Sequence, residues 1–454
     1  MNKIFENNPL INELTQKTAV NDYIKPEYYE KYKVKRGLRN ENGTGVLVGL
    51  TSVGSVVGYR IENGQKYPAE GELYYRGINV KALTGGFNKE KRRGFEEVAY
   101  LLLSGELPAG KSLKEFNRIL DECRELPKGF TENMILKAPS RDIMNMLQRS
   151  ILVLYSYDDN PDDISISNVL RQSIELIARF PTIISYGYQA KVHNFDRKSL
   201  FIHAPKPGIG TAENILHMIR PDNGYTGIEA ETLDLCMVLH ADHGAGNNSS
   251  FATHVVSSNG TDTYSAIAAA VGCLKGPKHG GANIMVKKMA DNIRENVPDW
   301  GNRQKLKDYL YKIIMKEAFD GKGLIYGMGH AVYTLSDPRA VLLKKKAYDL
   351  AAEKGALEEF ELYRNIEEIT TEIFKALKGD EVYIPANVDL YSGFVYNKLG
   401  IPRELFNPIF AASRVAGWCA HRIETIAGDN RIIRPAYVDV RPKMEYIPLS
   451  ERGV

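Results

Sequence analysis

Amphipathic helical periodicity recurs along most of this chain and limits its fold more than any other feature of the sequence. The segment FEEVAYLLLSGELP repeats apolar residues along one helical face and then stops at Gly105 and Pro108. The same pattern returns in RDIMNMLQRSILVLYSY and in six later segments, the last of which is RNIEEITTEIFKAL. Short turns rich in Gly and Pro separate these segments. We therefore predict a mainly α fold built from long amphipathic helices.

The N-terminal region follows a different pattern. Residues 1–45 are polar and mixed in charge, which predicts a surface arm with one short helix in PEYYEKYKVK. The Val- and Gly-rich sequence after this arm predicts a few short strands joined by tight turns. Further along, GPKHGGAN and KGDEVYIPANVD interrupt the helices and flank a lysine-rich stretch. We predict a small helical domain at 282–400 and a large one formed by 46–281 and 401–454.

Charge and composition exclude several classes of protein. The 454 residues include 59 Lys and Arg against 56 Asp and Glu, so the net charge is only +3 and nucleic acid is not an expected partner. The four cysteines form no CxxC pair, which favours a reducing compartment. No stretch approaches the roughly 18 apolar residues that span a bilayer, and MNKIFENNPLINELTQ has no signal-peptide core. These features predict a cytoplasmic protein with no membrane partner.

Five of the nine histidines lie between residues 240 and 330, and His243 is one of them. In LHADHGAGNNSS an apolar helix runs up to His240, and the Gly/Asn stretch cannot continue it well, so His243 is expected at a helix end. One interpretation is contact with an anion or a carbonyl group. The other is metal ligation by His240 and His243, although HxxH alone is a weak metal signal.

Glycines flank His279 in GPKHGGAN, and glycine lets a ligand or another backbone approach closely. A helix that starts near Gly281 would disfavour a charged imidazole at this position through its dipole. A neutral imidazole can donate a hydrogen bond to an oxygen that becomes an enolate. The alternative is a turn histidine without a role.

In YGMGHAVYTLSDPRA, Gly327 and Gly329 precede His330, and Arg339 follows in a DPR turn. The glycines suggest a nucleotide loop, yet the segment does not complete GxGxxG. The alternative is a loop that presents a histidine and an arginine to one small anion.

Three further charged residues lie in apolar surroundings. Asp389 in NVDLYSG is either a helix N-cap or a base with a perturbed pKa. Arg414 lies within the apolar helix FAASRVAGW, which is unfavourable unless the guanidinium is paired or binds an anion. Arg434 follows two isoleucines in NRIIRPAY.

Taken together and in this order, these motifs resemble the citrate synthase family from about residue 46 to the C-terminus. The resemblance implies a helical, two-domain homodimer with its active site in the interdomain cleft. It implies a reaction of oxaloacetate, acetyl-CoA and water that gives citrate and CoA. Acetyl-CoA is then a co-substrate, and neither a permanently bound cofactor nor a metal is expected.

The resemblance also implies roles for individual residues. The catalytic positions of the family match His279, His330 and Asp389. Its oxaloacetate-binding positions match His330 again, together with three further residues: His243, Arg339 and Arg414. Another carboxylate-binding arginine, which the partner subunit supplies in the family, matches Arg434.

The sequence departs from the family in the following places. Gly244 stands where many members carry Glu. GKGLIY lacks the arginine that some members use for CoA, so we predict Lys322 as its substitute, with Gly327 and Gly329 as further CoA contacts. Residues 1–40 do not resemble the strand-rich N-terminal domain of NADH-inhibited hexameric members, and no NADH allostery is predicted.

Three rival interpretations follow from the same residues. A 2-methylcitrate synthase would use propionyl-CoA with the same machinery, and one methylene changes discrimination by only about 1–3 kcal/mol. A histidine–metal hydrolase would instead be built on His240, His243 and His254. A catalytically inactive binding homologue is disfavoured because all three catalytic residue types are present.

Overall fold

The computed structural model describes residues 8–277, 279–428 and 431–452. In that part of the chain α-helices dominate, and the strands form one small sheet. This confirms the predicted mainly α fold with a few short N-terminal strands. None of the described helices combines the length and apolar character needed to cross a bilayer.

The α-helices of the described residues have the following bounds in chain order: α1 (Pro9–Asn21), α2 (Pro26–Lys31), α3 (Val80–Glu90), α4 (Phe95–Ser104), α5 (Gly110–Cys123), α6 (Ile143–Leu154), α7 (Ile166–Asp196), α8 (Thr211–Ile219), α9 (Gly227–His240), α10 (Asn248–Ser257), α11 (Thr263–Lys275), α12 (Ala282–Asn296), α13 (Arg303–Ile314), α14 (Pro338–Glu353), α15 (Leu357–Lys378), α16 (Val388–Lys398) and α17 (Phe406–Ala427).

The sheet is antiparallel and consists of β1 (Gly54–Glu62), β2 (Gln65–Tyr75) and β3 (Ile78–Asn79) in that order. The β1–β2 hairpin turns through Asn63 and Gly64, whose φ angles are 52° and 78°. Positive φ at both central residues is the geometry of the tight hairpin turn that Asn-Gly favours.

The chain divides into two compact units. The described part of the first unit comprises residues 8–49 and 434–452, and within it Arg441 donates a hydrogen bond to the carbonyl of Asn21 at 3.1 Å. The second unit, residues 50–433, contains the sheet and helices α3–α17. The division predicted from the Gly breaks, with a small domain at 282–400, stays a prediction.

Helix α17 forms the centre of the second unit. Every residue from Phe406 to Arg422 is buried, and the helix packs against α4, α7, α9, α10 and α11. Each large apolar side chain buried in this way stabilises the fold by about 1.5–3 kcal/mol. Three basic side chains, Arg414, His421 and Arg422, are buried in the same helix, and they require polar partners or a ligand.

Candidate active site

The segment that follows α9 is held by a tyrosine of the sheet. Tyr75 on β2 is completely buried, and its hydroxyl lies 2.9 Å from the carbonyl oxygen of Val238 and 3.2 Å from that of Asp242. The carboxylate of Asp242 accepts a hydrogen bond from the Gly244 amide at 2.8 Å. These contacts fix the backbone on both sides of His243 where the helix ends, as the sequence predicted.

His243 contacts the second histidine of the candidate site. Its ring centroid lies 5.2 Å from that of His330 and 5.6 Å from that of Tyr333. Its Nε2 is buried and has no hydrogen-bond partner among the described residues. Burial, followed by the charge of Arg339, holds the pKa of His243 well below its usual range. The ring is therefore neutral at pH 7, and one of its nitrogens is available to a ligand.

The glycines before His330 allow two loops to approach each other. Gly327 and Gly329 have φ angles of 86° and 84°, and a Cβ on Gly327 would lie 2.9 Å from the Cα of Leu390. The Asn387 amide donates to the Gly327 carbonyl at 2.9 Å, and the Gly329 amide donates to the Pro385 carbonyl at 2.7 Å. Glycine is thus required here to join the His330 loop to the start of α16. The predicted CoA contact of both glycines stays a prediction.

The backbone determines the tautomer of His330. Its Nδ1 accepts hydrogen bonds from the amides of Val332 at 3.0 Å and Tyr333 at 3.1 Å, so the proton of the neutral ring belongs on Nε2. That Nε2 lies 3.4 Å from Nη2 of Arg339. Both nitrogens then carry hydrogens, so neither can accept a hydrogen bond from the other. A ligand oxygen that accepts one hydrogen bond from His330 and one from Arg339 would suit this site.

Asp337 orients Arg339 and was not identified from the sequence as a site residue. It caps α14 by accepting the Arg339 amide at 2.9 Å, and the same carboxylate accepts the guanidinium at Nε and Nη2. Its second oxygen also receives the Val388 amide at 3.2 Å. Burial alone would lower the pKa of Arg339, but the charge and hydrogen bonds of Asp337, together with Tyr333 and Asp389, outweigh this effect and raise the pKa. The available signal was the Asp-Pro pair, which is typical of a helix start.

Arg414 is a buried cation with an incomplete set of partners. Its Nε donates to the His240 carbonyl at 2.5 Å, and its guanidinium lies 4.8 Å from the ring centroid of Phe410. Its Nη1 is buried and has no hydrogen-bond partner among the described residues. Burial lowers its pKa to about 10, so it remains charged at pH 7. A buried positive charge whose donor lacks an acceptor favours an anion as ligand.

The structure distinguishes the two interpretations of Asp389. Asn387 is the N-cap of α16, because its side chain accepts the Asp389 amide at 3.0 Å. Asp389 itself lies in the first turn. Burial raises the pKa of its carboxyl group to about 6, although the charge of Arg339 acts in the opposite direction. A carboxylate with such a pKa is a candidate general base.

His279 lies against a serine that two other side chains also contact. Its Nε2 is 3.0 Å from Oγ of Ser249, which receives a hydrogen bond from Nε1 of Trp418 at 3.0 Å and lies 2.9 Å from Oδ1 of Asn247. Burial, followed by the charge of Arg414, lowers the pKa of His279 to about 4. This shift favours the neutral imidazole, with burial rather than the helix dipole as its main cause.

Within the second unit, six predicted site residues act on one another through contacts or charge: His243, His279, His330, Arg339, Asp389 and Arg414. Lys322 is exposed, and its ammonium is 3.8 Å from the carboxylate of Asp320. Arg434 belongs to the first unit, and its predicted carboxylate contact stays a prediction.

A cavity of about 290 Å³ borders His330 and Tyr333. Its other walls are mainly apolar and aromatic, and they include the following side chains: Leu324, Met328, Phe374, Tyr383 and Ile384. The cavity can hold an apolar or flexible group next to the polar cluster.

The site therefore combines two buried arginines, neutral imidazoles and a carboxylate with a raised pKa inside a helical fold, an arrangement typical of enzymes. A family model described as "Citrate synthase, C-terminal domain" matches residues 42–436. The chain belongs to the citrate synthase family and is a transferase of that class.

Individual relatives agree with this assignment. The chain is 34% identical over 394 residues to a citrate synthase of Synechocystis, which covers 85% of this chain and 89% of that protein. It is 31% identical over 429 residues to 2-methylcitrate synthase 1 of Corynebacterium glutamicum, covering 92% and 99% of the two chains.

Solved structures show the same fold. Citrate synthase from Thermoplasma acidophilum, in a ternary complex with carboxymethyl coenzyme A and oxaloacetate, has a TM-score of 0.74 at 27% identity and covers 92% of this chain and 99% of its own. The enzyme from Pyrobaculum aerophilum has a TM-score of 0.73 at 31% identity, with 90% and 94% of the chains covered.

Proposed function

We propose that the protein condenses acetyl-CoA with oxaloacetate and hydrolyses citryl-CoA to citrate and CoA. The observation that carries this proposal is one buried cluster of Arg339, Arg414, neutral His279 and Asp389 with its raised pKa. This cluster can bind a small dianion and remove a proton from a weak carbon acid next to it. The relative from Thermoplasma acidophilum, crystallised with oxaloacetate and a coenzyme A analogue, supports the same pair of substrates.

Oxaloacetate presents two carboxylates and one ketone oxygen. Arg339 and Arg414 bind the carboxylates, and the unpaired Nη1 of Arg414 receives its missing acceptor. Each charge-assisted hydrogen bond stabilises the complex by about 1.5–3 kcal/mol. His330 donates its Nε2 proton to the ketone oxygen, and His243 contributes its unpaired Nε2.

The acetyl methyl group is a very weak acid, so its proton can be removed only if the enolate is stabilised in the same step. Asp389 takes the proton, and His279 donates a hydrogen bond to the thioester oxygen. Ser249 gives its hydroxyl proton to Oδ1 of Asn247 and can therefore accept the Nε2 proton of neutral His279. In the proposed reaction the thioester oxygen replaces Ser249 as the acceptor of this Nε2 proton. The enolate carbon then attacks the ketone carbon, and the new alkoxide receives a proton from His330.

Water must cleave citryl-CoA but not acetyl-CoA, which requires control of water access. Closure of the predicted small domain, residues 282–400, over bound oxaloacetate would provide it. Gly-flanked links near 276–283 and 320–330 are the proposed hinges.

For coenzyme A, we propose that the acyl end enters the cavity that His330 and Gly329 line. Gly327 is a further proposed contact, and Lys322 is proposed to lie near a phosphate. Acetyl-CoA is consumed as a co-substrate, and no permanently bound cofactor is required by this mechanism.

We further propose a cytoplasmic homodimer in which Arg434 of each chain reaches the active site of its partner. Several large apolar side chains of the C-terminal segment are exposed, among them Tyr437 at 94%, Met444 at 80% and Tyr446 at 80%. Exposed apolar groups in this number favour a second chain as their cover.

The second candidate is a 2-methylcitrate synthase, which the relative of that name from Corynebacterium glutamicum favours. The experiment is thiol release by the purified protein with acetyl-CoA or propionyl-CoA, with and without oxaloacetate. The proposal expects release that depends on oxaloacetate and a higher kcat/KM for acetyl-CoA. A higher kcat/KM for propionyl-CoA would favour the second candidate, and no release with either would reject both.

A further inference from the structure

Three potential metal ligands converge behind the candidate active site. His254 lies on α10, whereas His421 and Glu424 lie one turn apart on α17. The side chain of His421 is completely buried, and that of Glu424 is 20% exposed. We call these three residues the His–His–Glu cluster.

Each of the three side chains has one polar atom that points away from the other two residues, and a hydrogen bond holds that atom in place. Nε2 of His421 lies 3.0 Å from Oδ1 of Asp242, which as a carboxylate can only accept, so His421 carries a proton there. The hydroxyl of Thr425 gives its proton to the carbonyl of His421, and it therefore accepts from Nδ1 of His254 at 2.7 Å. Oε1 of Glu424 accepts the amide of Ser52 at 2.6 Å and its hydroxyl at 2.9 Å.

The remaining atoms point at one another. Nε2 of His254 lies 3.2 Å from Nδ1 of His421, and Oε2 of Glu424 lies 3.8 Å from the same Nδ1. All three ligand atoms lie within 4.8 Å of one another. Two imidazole lone pairs at this distance repel unless a proton or a metal ion lies between them. In a tetrahedral zinc site with Zn–N bonds of about 2.0–2.1 Å, two nitrogens are about 3.3 Å apart.

We infer that His254, His421 and Glu424 form a binding site for a divalent transition metal ion, with zinc as the first candidate. Two imidazoles and one carboxylate are a ligand set that such ions prefer. The hydrogen bonds that the two rings donate to Asp242 and Thr425 orient the imidazoles and raise their basicity, and those that Ser52 donates to Glu424 orient the carboxylate.

The site differs from the metal hydrolase predicted from His240, His243 and His254. Nδ1 of His240 lies 2.7 Å from the Cys236 carbonyl, and the ring of His243 packs against His330. Neither residue belongs to the cluster. An ion bound there would link α10 to α17 and, through Asp242, stabilise the backbone before His243. It takes no part in the condensation.

The test is a titration of the full-length protein with Zn²⁺ in competition with a chromophoric chelator. The expected result is one zinc per chain. The affinity should fall about 100-fold or more in His254→Gln and in Glu424→Gln. It should fall about 10–100-fold in Thr425→Val, which keeps all three ligands but removes the acceptor of His254 and the hydrogen bond to the His421 carbonyl. Calorimetry in buffers of different ionisation enthalpy should show release of about one proton per zinc, because the ion replaces the proton between the two rings.

His203→Gln is the matched control, since His203 also has a buried unpaired Nε2 and its ring lies 6.0 Å from that of another histidine, His217. This variant should bind zinc like the wild type. Circular dichroism identifies variants that fail to fold, and Glu424→Gln then replaces His254→Gln. The inference is overturned if the wild type binds zinc no more tightly than the folded cluster variants, or if His203→Gln removes the binding.

Discussion

Asp337 holds the guanidinium of Arg339 with both carboxylate oxygens. Oδ1 accepts from Nε at 3.0 Å and Oδ2 accepts from Nη2 at 2.8 Å, and both side chains are almost completely buried. The same carboxylate caps α14 and receives the first amide of α16, at Val388. One aspartate thus joins two helix starts to the arginine that we assign to oxaloacetate.

The first prediction concerns this pair. Asp337→Asn leaves Arg339 as a buried cation without its counter-charge, and removal of one member of a buried pair costs about 3–5 kcal/mol. Denaturant unfolding should show this loss, and the KM for oxaloacetate should rise. Asp142→Asn is the matched control, because Asp142 also caps a helix but is half exposed, and Asn caps a helix about as well as Asp, so this variant should lose little stability. Equal losses in the two variants would contradict the special role of Asp337.

The second prediction tests the proposed base. Asp389→Asn should reduce kcat by about 10²–10⁴-fold, because general-base catalysis is lost. It should leave the dissociation constant of oxaloacetate nearly unchanged, since the arginines remain. Thiol-release assays measure kcat, and calorimetric titration measures the dissociation constant of oxaloacetate. Asp380→Asn, at an exposed position, should change neither. A variant of Asp389 that keeps wild-type turnover would rule out this residue as the base.

The third prediction follows from the pKa of Asp389, which burial raises to about 6. Because the base must be ionised, kcat should rise with pH up to about 6 and then level off. The folded state binds this proton more tightly than the unfolded chain does. The stability that the protonated group contributes is therefore complete below pH 3.8 and is lost as the pH rises through 6.

The same shift predicts a gain of stability in a variant. The difference between the raised pKa of Asp389, about 6, and the ordinary carboxyl pKa of 3.8 corresponds to a loss of at most about 3 kcal/mol in the free energy of unfolding at pH 8. Asp389→Asn, which never ionises, should recover part of this free energy of unfolding at pH 8 and little at pH 4. Denaturant titrations at the two pH values make the comparison, and a larger gain at pH 4 would contradict it.

The fourth prediction compares two buried arginines of α17. Arg422 has partners for all three nitrogens: Thr263, Ser257 and the Thr261 carbonyl at 3.0, 3.1 and 2.7 Å. Arg422→Met leaves these groups unpaired and should cost about 2–4 kcal/mol of stability. Arg414→Met removes a charge with one unpaired nitrogen and should cost less, yet it should abolish the rise in melting temperature that oxaloacetate causes. The opposite order of stabilities would argue against Arg414 as a ligand-binding cation.

The fifth prediction concerns assembly. If Arg434 completes the site of the partner, mixing Arg434→Leu chains with Asp389→Asn chains creates mixed dimers with one intact site. Activity should return to about a quarter of the wild-type level under statistical exchange, although each variant alone is nearly inactive. Mass measurement checks that subunits exchange. Confirmed exchange without recovered activity would mean that Arg434 does not act across the dimer.

Local sequence patterns predicted several of the helices and six of the residues that interact in the candidate site, although not Asp337. Apolar periodicity predicted the mainly α fold, whereas the Asp-Pro pair at 337–338, which was predicted to form a turn, marks the start of α14. The motif order also indicated the family. These features depend on residues within a few positions of each other, where backbone geometry and capping determine the outcome.

Tertiary structure alone decided the protonation and pairing of these residues. Asp389 is a candidate base because the fold buries its carboxyl group, and the cap belongs to Asn387 instead. Asp242 and His421 are 179 residues apart in the chain and yet 3.0 Å apart in space. Desolvation and Coulomb interactions depend on which distant segments enclose a group, and no local pattern contains that information.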